Sequence, residues 1–144
     1  MRSADYRAWR LLGILAVICS CYSALGDEPD LILKSLRVPD GFTVERVAAS
    51  PLVGHPVMAG FDDRGRLFVA DNAGLNLPAD KLLEQLPNMI RMLEDTDGDG
   101  RFDRSTVFAD KMTFPQGAAW FRGALYVASP PSIWRLEDTN GDGV

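Results

Sequence analysis

Aspartates are crowded into the segment EDTDGDGRFD, residues 94–103, at a spacing that suits a bound metal ion. Like charges this close repel by roughly 1 kcal/mol per pair even in water, so a cation would relieve the repulsion. Calcium binds loops with side-chain oxygens at positions 1, 3, 5 and 9, a glycine at 6 and a backbone carbonyl at 7. Positions 1, 3, 5, 6, 7 and 9 are filled by Asp95, Asp97, Asp99, Gly100, Arg101 and Asp103. The sequence therefore predicts a calcium site in this segment.

The predicted site differs from an EF-hand at its last position. Thr106 stands at position 12, where the EF-hand has a bidentate glutamate, and the following STVF favours a strand rather than a helix. We expect a loop between two strands, completed by water or a distant oxygen, with a dissociation constant of about 10⁻⁴ to 10⁻³ M. The alternative is that the Asp-Gly pairs only supply tight hairpin turns. A hairpin turn explains one Asp-Gly pair but not the charges two residues apart.

The acidic segment belongs to an internal repeat. IRMLEDTDGDG at residues 90–100 recurs as IWRLEDTNGDG at residues 133–143, an offset of 43. The second copy predicts a second calcium loop, with Asp138, Asn140 and Asp142 as its ligands. Another pair, RGRLFVAD and RGALYVAS, recurs at an offset of 58, so the earlier copy has about 15 additional residues. We assign these to the segment from Gly74 to Asn88.

The repeat predicts an all-β protein. RLFVA, MIRML, STVFAD, ALYVA and SIWRL have the composition of short strands, and GFTVERVAAS at residues 41–50 indicates an entering strand. Pro78 and the following ADKLLEQL predict one short surface helix in the additional segment. Short strands with a period of about 40–45 residues are typical of a β-propeller, whose sheets are buried by stacking on neighbouring sheets. The alternative is a β-sandwich with accidental similarity.

Residues 27–144 hold about two propeller blades, whereas a closed propeller has at least about four. We therefore expect this sequence to be the N-terminal piece of a longer protein.

Residues 1–26 have the three-part layout of a secretory signal peptide. Three arginines precede the apolar run LLGILAVIC, and the small residues SALG follow. We expect the mature chain to begin at Asp27 and to be exported to the periplasm or the cell surface. One alternative is a membrane anchor, although the apolar run is about half of the roughly 20 residues that a span needs. The other is lipidation at Cys21.

The mature chain is expected to be acidic and free of cysteine. Cys19 and Cys21 both lie in the predicted leader, and its removal changes the net charge from −5 to −7. The mature domain would then have no disulfide and no thiolate metal site. An acidic domain without a basic stripe argues against nucleic acid and anionic membrane surfaces as partners. We expect no membrane insertion of the mature part.

Few residues are suited to catalysis. His55 is the one histidine and a candidate general base for an alcohol oxidation, but no partner lies near it in sequence, so a structural role in a loop is preferred. Trp120 and Trp134 suit stacking against a sugar or packing between sheets, and packing is preferred. There is no dinucleotide-binding glycine loop, no Gly-x-Ser-x-Gly and no histidine cluster, which argues against NAD dependence.

Two stretches carry a resemblance to a known family: VPDGFTVERVAASPLVGHPVMAGFDDRGRLFVAD at residues 38–71, and residues 90–143 from IRMLEDTDGDG to IWRLEDTNGDG. They resemble the N-terminal propeller of the bacterial (PVC-type) membrane-bound dehydrogenases, which are similar to soluble quinoprotein glucose and sorbosone dehydrogenases. The resemblance implies a six-bladed propeller, export and, in full-length members, helical repeats and a cytochrome c module. The sequence departs from this pattern because it has no Cys-x-x-Cys-His motif for haem attachment.

Two functions remain open at this point. In the first, the full protein is an exported, calcium-binding dehydrogenase that oxidises sugars or alcohols through pyrroloquinoline quinone (PQQ) and passes electrons to a cytochrome c-type acceptor. In the second, the propeller is a non-catalytic platform that binds carbohydrate or protein, with calcium holding its loops. Catalytic and quinone-binding residues are not assigned. Since two blades do not enclose a propeller's central channel, these residues alone are expected to be inactive under either function.

Overall fold

A computed structural model of the chain describes residues 31–144. The predicted signal peptide, residues 1–26, with both cysteines, lies outside the described residues. The chain divides into two compact units, Met1–Val44 and Glu45–Val144. In the first unit the structure describes one short helix, α1 (Leu31–Ser35). No helix in the described part of the chain has the length and hydropathy to cross a bilayer.

The second unit consists mainly of two antiparallel sheets, which confirms the all-β prediction. In each sheet, strands that follow one another in the chain are hydrogen-bonded neighbours. The four-stranded sheet contains β1 (His55–Phe61), β2 (Leu67–Asn72), β3 (Asn88–Glu94) and β4 (Arg104–Met112), and the three-stranded sheet contains β5 (Gly117–Phe121), β6 (Ala124–Ser129) and β7 (Ser132–Leu136).

A surface helix, α2 (Ala79–Gln85), lies in the connection between β2 and β3 and has no buried residue. Pro78 is its N-cap residue, and the helix ends at Leu86 in the left-handed conformation. This confirms the short helix predicted for the additional segment. The equivalent connection in the three-stranded sheet is only the Pro130–Pro131 turn, so the difference in repeat length falls in this connection.

The internal repeat is also a repeat of strand register. Each of the five residue pairs between β2 and β3 recurs between β6 and β7, when β2 is shifted by 58 positions and β3 by 43. Phe68 pairs with Met92, for example, and their equivalents Tyr126 and Arg135 pair with each other. The two sheets are therefore copies of one structural unit.

Because the two sheets share one register, each face of one sheet has an equivalent face in the other. We call the face that carries Val69, or its equivalent Val127, the front face. We call the face that carries Phe68, or its equivalent Tyr126, the back face. Side chains alternate between the two faces along every strand.

The main core is formed where the back face of the four-stranded sheet packs on the front face of the three-stranded sheet. Phe68 and Ile90 from the first, and Leu125 and Val127 from the second, are fully buried in it. Trp120 from β5 stacks on Phe68 with ring centroids 5.4 Å apart. The two copies of the unit thus stack front to back, in the same sense, rather than face to face.

The front face of the four-stranded sheet is covered by the segment at residues 45–54. The Val47 carbonyl accepts a hydrogen bond from the Phe102 N–H at 2.9 Å, and the Leu52 carbonyl accepts one from the Ser105 hydroxyl at 2.8 Å. The entering strand predicted at residues 41–50 was wrong, because this stretch joins no sheet. Its residues after Val44 contact loops and side chains of the four-stranded sheet instead of a neighbouring strand.

Candidate calcium site

The first group of predicted ligands lies in the connection between β3 and β4, where the backbone wraps around Asp95. The two carboxylate oxygens of Asp95 accept hydrogen bonds from the N–H groups of Gly98 at 2.7 Å and Gly100 at 2.9 Å. Both glycines have left-handed φ angles, +77° and +90°, which residues with a Cβ adopt at a cost. The Asp-Gly-Asp-Gly spacing therefore allows the chain to turn around the first aspartate.

Three of the four predicted aspartates come together. One carboxylate oxygen from each of Asp95, Asp97 and Asp99 lies within 4.8 Å of the other two. The Asp103 carboxylate is not in this group, because it accepts hydrogen bonds from the Thr96 N–H at 3.2 Å and the Thr96 hydroxyl at 2.6 Å. Positions 1, 3 and 5 of the predicted loop therefore come together. Asp103, at position 9, instead links the two ends of the loop through Thr96.

Arg101, predicted to offer its carbonyl at position 7, follows the cluster directly. Its backbone N–H donates to the Asp99 carboxylate at 2.8 Å. The bond fixes the chain direction after Asp99, and the Arg101 carbonyl as a ligand stays a prediction.

The second acidic loop, after β7, repeats this bonding 43 residues later. Asp138 accepts hydrogen bonds from the N–H groups of Gly141 at 2.6 Å and Gly143 at 2.9 Å, as Asp95 does from its two glycines. The Asn140 side-chain oxygen accepts from the Asp142 N–H at 3.3 Å. The Asn140 amide also donates to the Asp142 carboxylate at 2.7 Å. The two predicted ligand sets therefore lie in loops of the same conformation.

The first aspartate of each loop is biased toward its charged form. Hydrogen bonds from backbone N–H groups, above all that of Gly100, lower the pKa of Asp95 below its ordinary value. For Asp138, the largest single influence is partial desolvation, which raises the pKa, but the backbone N–H groups of Gly143 and Gly141 outweigh it and the net shift is downward. Both carboxylates are consequently ionised at neutral pH.

The cluster offers the type of ligand atom that calcium prefers. Its side-chain ligands are hard oxygens, and hydrogen bonding from the backbone leaves lone pairs on carboxylate oxygens for a cation. Two carboxylates whose oxygens lie within 4.8 Å of each other repel by about 1 kcal/mol or more in water. The backbone N–H groups offset part of this repulsion, and a divalent cation would remove the rest.

Of the other residues singled out in the sequence, Trp120 is packed, whereas His55 is exposed and Trp134 is half-exposed. His55 is the first residue of β1, and its backbone N–H donates to the Asp71 carboxylate at 2.7 Å. Trp120 packs in the core between the sheets, which confirms the packing interpretation for this residue. Trp134 is half-exposed on the front face of the three-stranded sheet, opposite Val127.

The sequence did not predict one buried ion pair, that between Asp71 and Arg91. The Asp71 carboxylate is 3% exposed, accepts hydrogen bonds from the backbone of Gly54 and His55, and pairs with the Arg91 guanidinium at 2.6 Å. The available signal was the repeat itself. Asp71 corresponds to the buried Ser129, whose hydroxyl accepts a hydrogen bond from a backbone N–H that precedes β5, so both positions anchor the chain that enters the first strand of their sheet.

Fold and site together define a mainly β protein made of duplicated sheet units, with an acidic, glycine-containing loop after the third strand of each sheet. Residues 28–144 match the model of a family described as a domain of unknown function, DUF7133. Since this match spans most of the sequence, the chain belongs to that family. No curated protein and no solved structure matches it.

Proposed function

We propose that the two acidic loops bind calcium and that the chain forms part of an exported, calcium-binding β-propeller. The observation that carries the proposal is the recurrence of one hydrogen-bonded acidic loop at the equivalent end of β3 and β7. A turn that only joins strands has no need for acidic or amide oxygens two and four residues after its first aspartate. Calcium needs such oxygens at those positions.

The stacking of the sheets supports the propeller architecture. The back face of the three-stranded sheet carries Tyr126 and Ile133, the equivalents of the fully buried Phe68 and Ile90. Ile133 is 81% exposed, so this face offers apolar surface where its equivalent is covered by a sheet. In front-to-back stacking, each added sheet packs on the previous one in the same direction, and stacking stops when the last sheet packs on the first to close a ring. We infer that further sheets of this kind complete the ring, which has six sheets in the family that the sequence resembles.

For activity, the motif resemblance supports a quinone-dependent sugar or alcohol dehydrogenase. PQQ is an anionic quinone, so a site for it needs basic side chains that are not already paired with carboxylates. Two arginines border a cleft between the sheets, Arg66 and Arg104, and both are paired with carboxylates, those of Asp62 and Glu94. This pairing favours the second function, a binding platform, for these two sheets taken alone.

The test is a dye-linked dehydrogenase assay on the protein isolated with all of its sheets, supplied with calcium and PQQ. The dehydrogenase function predicts reduction of the dye that requires both PQQ and a sugar or alcohol. Sugar binding without dye reduction would establish the platform function instead. A protein whose thermal stability does not respond to calcium would contradict the calcium proposal under either function, with magnesium as the control cation.

A further inference from the structure

The two acidic loops differ at one position whose side chain can react with the main chain. The first loop reads DTDGDG and the second DTNGDG, so Asn140 stands where the first loop has Asp97. Gly141 follows Asn140 directly, and Asn140 is exposed. An asparagine followed by glycine loses its side-chain amide most readily, because glycine has no Cβ to obstruct ring closure. Asn140 is therefore a candidate site of deamidation.

Deamidation needs only water as a co-reactant. The Gly141 nitrogen gives up its proton and attacks Cγ of Asn140, which forms a new C–N bond. The Cγ–Nδ2 bond breaks, and Nδ2 takes up the proton and leaves as ammonia, so a five-membered succinimide ring remains. Water then opens the ring at either carbonyl carbon. The product at position 140 is aspartate, which gives the second loop the sequence of the first, or isoaspartate, which adds one carbon to the main chain.

In the folded loop both reacting groups are engaged in hydrogen bonds. The Gly141 N–H donates to the Asp138 carboxylate at 2.6 Å, and this bond to a charged acceptor stabilises the proton that the nitrogen must lose. The Asn140 amide nitrogen donates to the Asp142 carboxylate at 2.7 Å, and the Asn140 Oδ1 accepts from the Asp142 N–H at 3.3 Å. Both hydrogen-bonding arrangements have to break before the ring can form.

The surrounding structure keeps Asp138 in this position. Its second carboxylate oxygen accepts a hydrogen bond from the Gly143 N–H at 2.9 Å. Gly143 in turn lies against the Met92 side chain, whose Cε would be 2.8 Å from a Cβ at residue 143. Since Met92 is on the back face of the four-stranded sheet, the end of the second loop is packed between the two sheets. The hydrogen bond to Gly141 therefore depends on the folded, stacked sheets.

We propose that Asn140 is a deamidation site that the folded second loop protects, with the Asp138 carboxylate withholding the Gly141 nitrogen from reaction. Asp138 acts through Gly141 and is therefore a positioning residue. The aspartate and isoaspartate content at position 140 then records how long this loop has been open. This role needs neither a bound ion nor a closed ring of sheets, so it stands apart from the proposed function.

The test follows deamidation of the full chain during incubation at pH 7 with a chelator present. Tandem mass spectrometry of the tryptic peptide 136–144 reports the reaction, because Asn140 is the one amide side chain in that peptide. We expect Asp138→Ala, and wild type unfolded in urea, to deamidate about tenfold faster than folded wild type or more, since a hydrogen bond to a charged group no longer has to break. Asp138→Asn keeps a neutral acceptor oxygen and should give an intermediate rate.

Two controls separate this local role from a general loosening of the fold. Asp95→Ala removes the equivalent carboxylate from the first loop and should leave the rate at Asn140 unchanged. Hydrogen exchange followed by NMR should speed up at the Gly141 amide of Asp138→Ala, whereas the amides of β6 stay protected. If Asp138→Ala does not fold, Asp138→Asn against wild type makes the same comparison.

Three results would overturn the proposal. The first is an equal deamidation rate in wild type and the Asp138 variants. The second is a slower rate in those variants, because the carboxylate would then act as a general base that takes the Gly141 proton. The third is an equal acceleration by Asp95→Ala, which would mean that no contact of Asp138 is responsible. Calcium is absent throughout, so each result leaves the calcium proposal untouched.

Discussion

Replacing Asp71 by asparagine tests whether the segment at residues 45–54 is held on the four-stranded sheet by one buried carboxylate. The change keeps the size of the side chain but removes its charge. The Arg91 guanidinium loses its ion-pair partner, and one of the two acceptor oxygens facing Gly54 and His55 becomes an amide nitrogen. The buried side chain at residue 71 would then no longer satisfy the Arg91 guanidinium and both backbone N–H groups at the same time.

The expected loss of stability follows from the exposure of the two charged groups. Removing one partner of a buried ion pair costs about 3–5 kcal/mol. Asp71 is 3% exposed but Arg91 is 24% exposed, so water compensates Arg91 in part and the lower end of the range applies. We expect a loss of about 3 kcal/mol, which corresponds to a fall in melting temperature of about 12–24 °C for a unit of roughly 100 residues.

Urea unfolding at pH 7, followed by the fluorescence of the tryptophans, measures this loss. Asp110→Asn is the matched control, because its carboxylate is 66% exposed and only 3.8 Å from the Lys111 ammonium group, and it should change stability by less than about 0.5 kcal/mol. A double-mutant cycle with Arg91→Met should show coupling between residues 71 and 91. If Asp71→Asn unfolds at the same urea concentration as Asp110→Asn, the carboxylate does not anchor the segment and the reasoning fails.

Two further perturbations test the packing and the charges of the same unit. Phe68→Ala should destabilise the protein by about 3–5 kcal/mol and weaken the near-ultraviolet circular dichroism of Trp120, because it empties the centre of the core; an unchanged spectrum would contradict front-to-back stacking. Asp62 is buried, which alone raises its pKa, but hydrogen bonds from Arg66 and Arg64 lower the net pKa below 3.8. Its stabilisation, about 2 kcal/mol, is therefore present above the unfolded-state pKa and is lost as pH falls below about 4. Urea unfolding at pH 7 and pH 3 should show that Asp62→Asn loses more stability relative to wild type at pH 7 than at pH 3, and an equal difference at both values would contradict this.

The strands and the helix that are marked by the composition or periodicity of their own residues were predictable from the sequence. The strands β2, β3, β4, β6 and β7 alternate or carry β-branched and aromatic residues, and α2 follows Pro78 in a polar segment. The repeat also predicted that β2 and β6 are equivalent, which the shared register confirms. The first strands, β1 and β5, were not predicted, because HPVMAGF and GAAWF contain proline and small residues that give no alternating pattern.

Contacts between distant residues account for what the sequence did not reveal. The pairing of Asp71 with Arg91 depends on strand register, which a single sequence specifies only through its repeat. Asp103 has the spacing of a calcium ligand, yet Thr96 holds its carboxylate at the base of the loop.

Calcium-dependent thermal unfolding of wild type and Asp97→Ala tests the central claim most directly. If calcium binds only the folded protein, each site adds about 0.6–1.4 kcal/mol when calcium is roughly two to ten times the dissociation constant. We predict that millimolar calcium raises the melting temperature of the wild type, that a chelator reverses the rise, and that Asp110→Ala behaves like wild type. Asp97→Ala should lose part of the rise while being no less stable than wild type without calcium, because it removes repulsion together with a ligand. No response of the wild type to calcium, or an equal response in Asp97→Ala, would contradict the claim and leave these aspartates as hairpin-turn residues.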